Sequence, residues 1–254
     1  MTRLSVNLNK VALLRNARGG LRPDVVQAGR TCLDAGAAGL TLHPRPDGRH
    51  ARAADVLALA ELATATGTEL NVEGNPLAPP ARTGDYAYPG FVPLCEEARP
   101  IQATLVPDAA GQLTSDHGWN LERDGDRLGP IIERLHAAGC RVSLFMDPDA
   151  SSMQRASDIG ADRVELYTGP YAEAVARGES ATALSAYRAA GQAARDVGLA
   201  INAGHDLDLD NLGAFLDAVP GVEEVSIGQA LVADALNLGL ANAVQAYLAV
   251  LNRQ

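Results

Sequence analysis

Aromatic residues are scarce, at 4% of the chain. A core without them must be built from Leu, Val, Ile and Ala, which suits helices packed on strands better than an all-β sandwich. Lysine is nearly absent: Lys10 is the only one, so basic charge rests almost wholly on Arg. The three cysteines, Cys32, Cys95 and Cys140, are odd in number and form no CxxC pair, which argues against a disulfide framework or a thiolate metal site. Cys32 and Cys140 read as buried small hydrophobes. No apolar run is long enough to cross a bilayer. The first residues read as a strand followed by the polar Asn7 and Asn9, not as a signal peptide, so the expectation is a soluble cytoplasmic protein. The formal net charge of -10 argues against a nucleic-acid or anionic-membrane surface. It leaves room for small phosphorylated ligands held by a local cluster of Arg.

What is present is a repeated strand-then-helix pattern. Strands are expected at Leu4–Leu8, Gly39–Leu42, Glu69–Val72, Ile101–Val106, Arg141–Phe145, Arg163–Leu166, Leu199–Asn202 and Glu224–Ile227. Helices are expected at Pro23–Ala37, Ala53–Ala65, Gly90–Ala98, Arg123–Ala138, Ser151–Ile159, Ala181–Val197, Leu209–Ala218 and Ala230–Leu251. Arg15–Gly20, Pro76–Pro89 and Pro107–Asn120 read as loops, and the last two are candidate lids. Each strand is short and mostly apolar, as parallel strands buried on both faces should be. No linker-like shift in composition divides the 254 residues. The pattern predicts an α/β protein, a single-domain (β/α)8 TIM barrel over residues 1–254. A doubly wound open sheet is the runner-up, disfavoured because no strand is followed by a GxGxxG turn.

In such a barrel the chemistry sits at the C-terminal ends of the strands. Gly39-Leu-Thr-Leu-His43-Pro-Arg45-Pro-Asp-Gly-Arg49-His50 runs a strand straight into a stiff loop bearing two imidazoles and two guanidinium groups. The other strand ends add Asn7, Asn9 and Lys10, then Glu73, Thr114, Glu165 and His205. Two imidazoles and two carboxylates at one mouth form an acid/base set. Phosphate binding is expected at the loops after strands seven and eight, Ala203-Gly204-His205-Asp206 and Ile227-Gly228-Gln229-Ala230. A second phosphate site is expected at the arginine cluster Arg18, Arg45 and Arg49. His136, on an amphipathic helix, reads as a C-terminal helix charge, and His117 as exposed.

Several motifs occur together and in order: Val6-Asn7-Leu-Asn9-Lys10, Leu14-Arg15-Asn16-Ala17-Arg18-Gly19, Thr41-Leu-His43-Pro-Arg45-Pro-Asp-Gly-Arg49-His50, Asn71-Val-Glu73, Val164-Glu165-Leu-Tyr-Thr168-Gly169, Asn202-Ala-Gly204-His205 and Ser226-Ile-Gly228. In this the chain resembles the pyridoxine 5'-phosphate synthase family over almost its whole length. The resemblance implies a barrel in a homo-octamer built from dimers. It implies ring closure between 1-deoxy-D-xylulose 5-phosphate and 3-amino-2-oxopropyl phosphate, with no cofactor and no metal. His43 and Glu73 would be proton acceptors, His205 a proton donor, and Glu165 a stabiliser of charge. Asn7, Arg18, Asp206, Gly228 and Gln229 would hold the aminoketone phosphate. Asn9, Lys10, Arg45, His50 and Thr114 would hold the pentulose phosphate. Many members of that family carry Asp-His where Asn9-Lys10 stand, Gly in place of Asp206 and His in place of Gln229. The residues by themselves leave other readings open. These are a Schiff-base aldolase using Lys10, a divalent-metal enzyme with His43, Glu73, Glu165 and His205 as ligands, and a barrel that binds phosphometabolites without turnover.

Overall fold

The computed structural model describes residues 1–109 and 111–253. Residue 110, inside the expected Pro107–Asn120 loop, and residue 254 lie outside the described residues. The chain begins β1 (Arg3–Asn7), α1 (Asn9–Asn16), α2 (Val25–Asp34), β2 (Gly39–Leu42), α3 (Ala53–Thr66) and β3 (Glu69–Gly74). It continues β4 (Ala81–Thr83), β5 (Tyr86–Tyr88), α4 (Phe91–Ala98), β6 (Gln102–Leu105), α5 (Leu121–Ala137) and β7 (Arg141–Met146). A 3-10 turn at Ala150–Ser152 leads into α6 (Met153–Asp158), β8 (Arg163–Tyr167), α7 (Gly169–Ala176), α8 (Ser180–Asp196) and β9 (Ala200–Gly204). The last elements are α9 (Leu212–Ala218), β10 (Val222–Ile227), α10 (Gln229–Leu238) and α11 (Leu240–Leu251). Eight of the strands close into a parallel barrel in the order β1-β10-β9-β8-β7-β6-β3-β2, and β4-β5 form a separate antiparallel hairpin. The expected (β/α)8 barrel is the fold. Among the described residues, no helix is long and apolar enough to cross a membrane.

Five local expectations need correction. α1 occupies Asn9–Asn16, where only a strand end and a polar loop were expected. Pro23 does not sit in the first turn of α2; the helix starts at Val25, and the Asp24 side chain caps it by accepting from the N–H groups of Val26 and Gln27. The Pro-rich stretch Pro76–Pro89 contains the β4-β5 hairpin. α7 stands between β8 and α8, opened by Pro170 at its first turn. The long last helix is two, divided at Gly239, whose φ of 80° no helix can continue.

The strands are also not apolar on both faces. They alternate. Leu4, Val6, Leu40, Leu42, Val142, Leu144, Val164 and Leu166 are fully buried on the helix side, and each such burial contributes roughly 1.5–3 kcal/mol. Gly29 lets α2 come close there: a Cβ on it would lie 2.9 Å from the side chains of Leu40 and Leu59. The inward face is polar. Gln102 on β6 reaches across to Glu224 on β10 at 3.2 Å, and Asn202 on β9 reaches Gln102 at 3.3 Å. Near the strand starts, Arg3 and Arg141 pair with Glu69, and Arg163 pairs with Glu223. Burial and the nearby Glu69 push the Glu224 carboxyl up to about 7, against the pull of Arg163, Arg3 and Arg141. The middle is threaded by hydroxyls and amides, among them Ser5 with Thr41 at 2.7 Å and Thr104 with Asn71 at 2.9 Å. This polar lining is why a barrel with little aromatic residue can carry charged side chains up its axis to the open end.

Candidate active site

A cavity of about 300 Å³ opens at the C-terminal ends of the strands. Its walls include Asn7, Asn9, Lys10, His43, Arg45, His50, Glu73, Thr114, Glu165, His205, Asp206, Gly228 and Gln229, so thirteen of the fourteen expected residues come together. Arg18 does not. α1 ends at Asn16, the chain turns outward, and Arg18 is exposed. Arg49 lines the wall instead.

The loop after β2 is rigid because α1 holds it. The Asn16 side-chain amide lies 3.3, 3.0 and 2.8 Å from the carbonyls of Gly48, Arg49 and His50. Arg15, next to it, pairs with Asp55 at the start of α3. The hairpin packs from the other side: a Cβ on Gly48 would lie 2.3 Å from the Tyr86 ring. Asn9 sets the start of the loop, accepting from the His43 backbone N–H at 2.9 Å.

His43 stands between two carboxylates. Its Nδ1 is 3.6 Å from Glu73, and its Nε2 is 3.2 Å from Asp108. Glu73 projects from within β3, not beyond its end, and faces Asn7, Asn71 and Ser226 at 3.4, 3.4 and 3.5 Å. Glu165 likewise lies mid-strand in β8, almost wholly buried, with Oε2 bonded to nothing. Burial, first, and then the charges of Glu73 and Glu224 hold its carboxyl well above the usual carboxylate range. The two carboxyls thus sit in different surroundings: Glu165 is buried without a partner on Oε2, while Glu73 is faced by amide and hydroxyl groups and by His43.

His205 is placed by its backbone. It and Asp206 both lie in the left-handed region, at φ 60° and 64°, a conformation that costs non-glycine residues roughly 1–2 kcal/mol each. Thr168 holds the turn, its hydroxyl donating to the carbonyls of Gly204 and His205. The ring stands edge-on to Tyr167, with centroids 5.4 Å apart. Its Nδ1 pairs with Asp206 at 2.9 Å, and its Nε2 shares a 2.8 Å hydrogen bond with Thr114. The hydrogen bond from His205 holds Asp206 below the usual carboxylate range. Gly228 caps α10, whose first residue is Gln229, so a helix N-terminus points at the cavity.

His50 is buried with Nδ1 unpartnered, its ring 6.3 Å from that of His43. Burial, then His43, Arg45, Arg49 and Lys10, push it down to about 2. It is neutral in the folded protein, so acid destabilises the fold below the free histidine value of about 6.5, where only the unfolded chain takes the proton. His50→Gln is expected to remove up to about 1.4 kcal/mol of that loss for each pH unit below 6.5. Unfolding midpoints of both proteins from pH 7 to pH 4 check this. Parallel curves would show that His50 is not the source.

His117 is exposed, as expected, and His136 pairs with Asp162 at 2.8 Å near the end of α5. Among the described residues, no three His, Cys, Asp or Glu side chains converge to hold a metal ion. Sequence reasoning missed Asp108, which binds the site together. Its position one residue after Pro107, just past a strand end, is the signal that marked it.

A family model described as pyridoxal phosphate biosynthesis protein PdxJ matches residues 4–253. The chain is 57% identical over 250 residues to pyridoxine 5'-phosphate synthase from Xanthomonas campestris pv. campestris (strain B100), covering 98% of this chain and 96% of that one. It is 53% identical over 251 residues to pyridoxine 5'-phosphate synthase from Xylella fastidiosa (strain 9a5c), covering 99% and 95%. Among solved structures, the tryptophan synthase A-subunit from Pyrococcus furiosus superposes with a TM-score of 0.64 at 14% identity, covering 98% of this chain and 97% of that one. At that identity the likeness speaks for the barrel alone. With a family match that spans nearly every residue, the chain belongs to the PdxJ family of pyridoxal phosphate biosynthesis proteins.

Proposed function

We propose that this enzyme is a pyridoxine 5'-phosphate synthase. It joins 1-deoxy-D-xylulose 5-phosphate to 3-amino-2-oxopropyl phosphate and releases pyridoxine 5'-phosphate, inorganic phosphate and water. One observation carries the reading: His43, Glu73, the buried Glu165 and His205 share a single cavity that Lys10, Arg45 and Arg49 also line. An amine must condense with a carbonyl, water and phosphate must leave, and a carbon–carbon bond must close before the ring aromatises. Each step moves a proton, and held reactants make each one effectively unimolecular.

In this reading His43 and Glu73 accept protons and His205 donates them to the leaving oxygens. Glu165 stabilises positive charge on the condensed nitrogen. Lys10, Arg45, Asn9, His50 and Thr114 hold the pentulose phosphate. Asn7, with the backbone around Asp206 and Gly228-Gln229, holds the aminoketone phosphate; Asp206, ionised, turns its carboxylate to His205 and leaves its N–H for the anion. Arg18 stays outside this assignment. The enzyme acts on phosphorylated small molecules in the cytoplasm, as one domain in a homo-oligomer. Exposed Leu13, Leu14, Leu21 and Leu236 supply apolar surface for such an assembly.

The test is incubation of the purified protein with both substrates, following ring product by mass and phosphate in parallel, with sedimentation velocity on the same sample. Equal appearance of both products supports the synthase. Phosphate without the ring, or neither, rejects it. A monomer would reject the assembly. His205→Ala is expected to lower kcat by about 10²-fold with the fold intact, as loss of a general acid does. Turnover near that of the parent would remove His205 from the donor role.

A further inference from the structure

Asp108 has no role in that assignment, yet Arg45 and His43 of the cavity wall both meet it. Its buried Oδ2 lies 2.5 Å from Arg45 Nη2 and 3.2 Å from His43 Nε2. The same oxygen accepts from the Ser115 hydroxyl at 3.1 Å, and the Asp108 carbonyl accepts from the Asn75 amide at 2.8 Å. One well-anchored carboxylate oxygen therefore faces three groups. Two of them, His43 and Arg45, are groups the proposed reaction needs for its substrate.

We propose that Asp108 is a positioning residue that stands in for a substrate phosphate: before substrate binds it holds Arg45 and the Nε2 edge of His43, and the incoming pentulose phosphate displaces it from Arg45. The inference rests on the proposed function and goes beyond it by adding a competitor for the phosphate that is built into the chain. Arg45 is buried, and burial alone disfavours its charge; Asp108 is the nearest group that opposes this. Arg45 takes its ion pair from Asp108, whereas its neighbour Arg49 has Asp47 at 3.4 Å. An internal anion keeps Arg45 occupied for part of the time, and apparent affinity is the intrinsic affinity multiplied by the fraction of Arg45 that is free. Once the phosphate takes Arg45, the carboxylate remains beside His43. There it keeps the Nδ1 edge turned to Glu73. A single side chain thus weakens phosphate binding and supports turnover.

Asp108→Asn separates the two effects. Calorimetric titration with inorganic phosphate, and then with the pentulose phosphate alone, is expected to show binding tighter by about three- to tenfold. Steady-state kinetics are expected to show kcat lower by about tenfold or more. A merely structural role moves the first readout the other way, because a loosened site binds anions more weakly. Phosphate binding that is unchanged or weaker overturns the competition with Arg45. Unchanged kcat overturns the hold on His43. Asp108→Ser repeats both measurements if the Asn variant does not fold, and failure of both to fold overturns the proposal, since the carboxylate would then serve the fold. Wild-type turnover is measured in the same series. A parent that makes no ring product sinks the proposed function, while the phosphate titration, which needs no turnover, still decides whether Asp108 competes for Arg45.

Discussion

Glu165→Gln is expected to lower turnover by about 10³-fold and, at the same time, to make the protein more stable above neutrality. The two effects share one cause. Glu165 is buried in the barrel axis with one oxygen bonded to nothing, and its folded carboxyl is held well above its unfolded value. Between those two values the folded state binds more protons than the unfolded state, so stability falls as pH rises through the window. Glutamine has the same shape and nothing to ionise, so it escapes that loss. It also cannot become an anion when positive charge develops on the substrate nitrogen, which is the role proposed for Glu165. Kinetics at neutral pH and unfolding midpoints at pH 5 and pH 8 test both halves. Activity within a few-fold of the parent would reduce Glu165 to a neutral hydrogen-bond donor. A midpoint difference that does not grow with pH would show that its ionisation is not suppressed.

Gly204→Ala is expected to cost about 3 kcal/mol of stability, and most of the activity with it. The cause is close approach, not backbone freedom. A Cβ on Gly204 would lie 2.6 Å from the Ser226 carbonyl oxygen on β10 and 2.9 Å from Glu165 Oε1. The first contact is backbone of a paired neighbouring strand, so β9 and β10 must part for it. The second moves the Glu165 carboxyl. Gly204 also immediately precedes the left-handed pair at His205 and Asp206, so a shift of the strand carries the proton donor with it. Denaturant unfolding and turnover together check this. A variant with parental stability would mean that the barrel is softer there than its packing indicates.

The barrel was legible because its period is strong. Gly39–Leu42 is a strand residue for residue, and α3 and α5 differ from expectation only at their ends. The misses have physical reasons. α1 is short, with no side chain capping its start, and opens on Asn and Lys, so nothing local announces it. The hairpin strands have three residues each, too short for an alternating pattern to register. At the site, residue type and position near strand ends were enough to find His43, Glu73, Glu165 and His205. Asp108 was not found, because its place after Pro107 is a faint signal and its contacts are with His43 and Arg45, which sit on the loop after β2, far away along the chain. Arg18 lies outside the cavity for the converse reason: it belongs to a motif whose neighbour Asn16 holds the loop after β2, while Arg18 itself is exposed.

The hydrogen bond between Thr114 and His205 Nε2 gives the enzyme a sense of order in time. With Nδ1 engaged by Asp206, Nε2 is the nitrogen left to serve a substrate, and in the resting molecule it is taken. In the assignment proposed above, His205 is free to act as donor once the pentulose phosphate draws Thr114 away. On this account the first substrate arms the acid for the second. In the same assignment an aminoketone phosphate that arrives alone would meet a donor still engaged by Thr114.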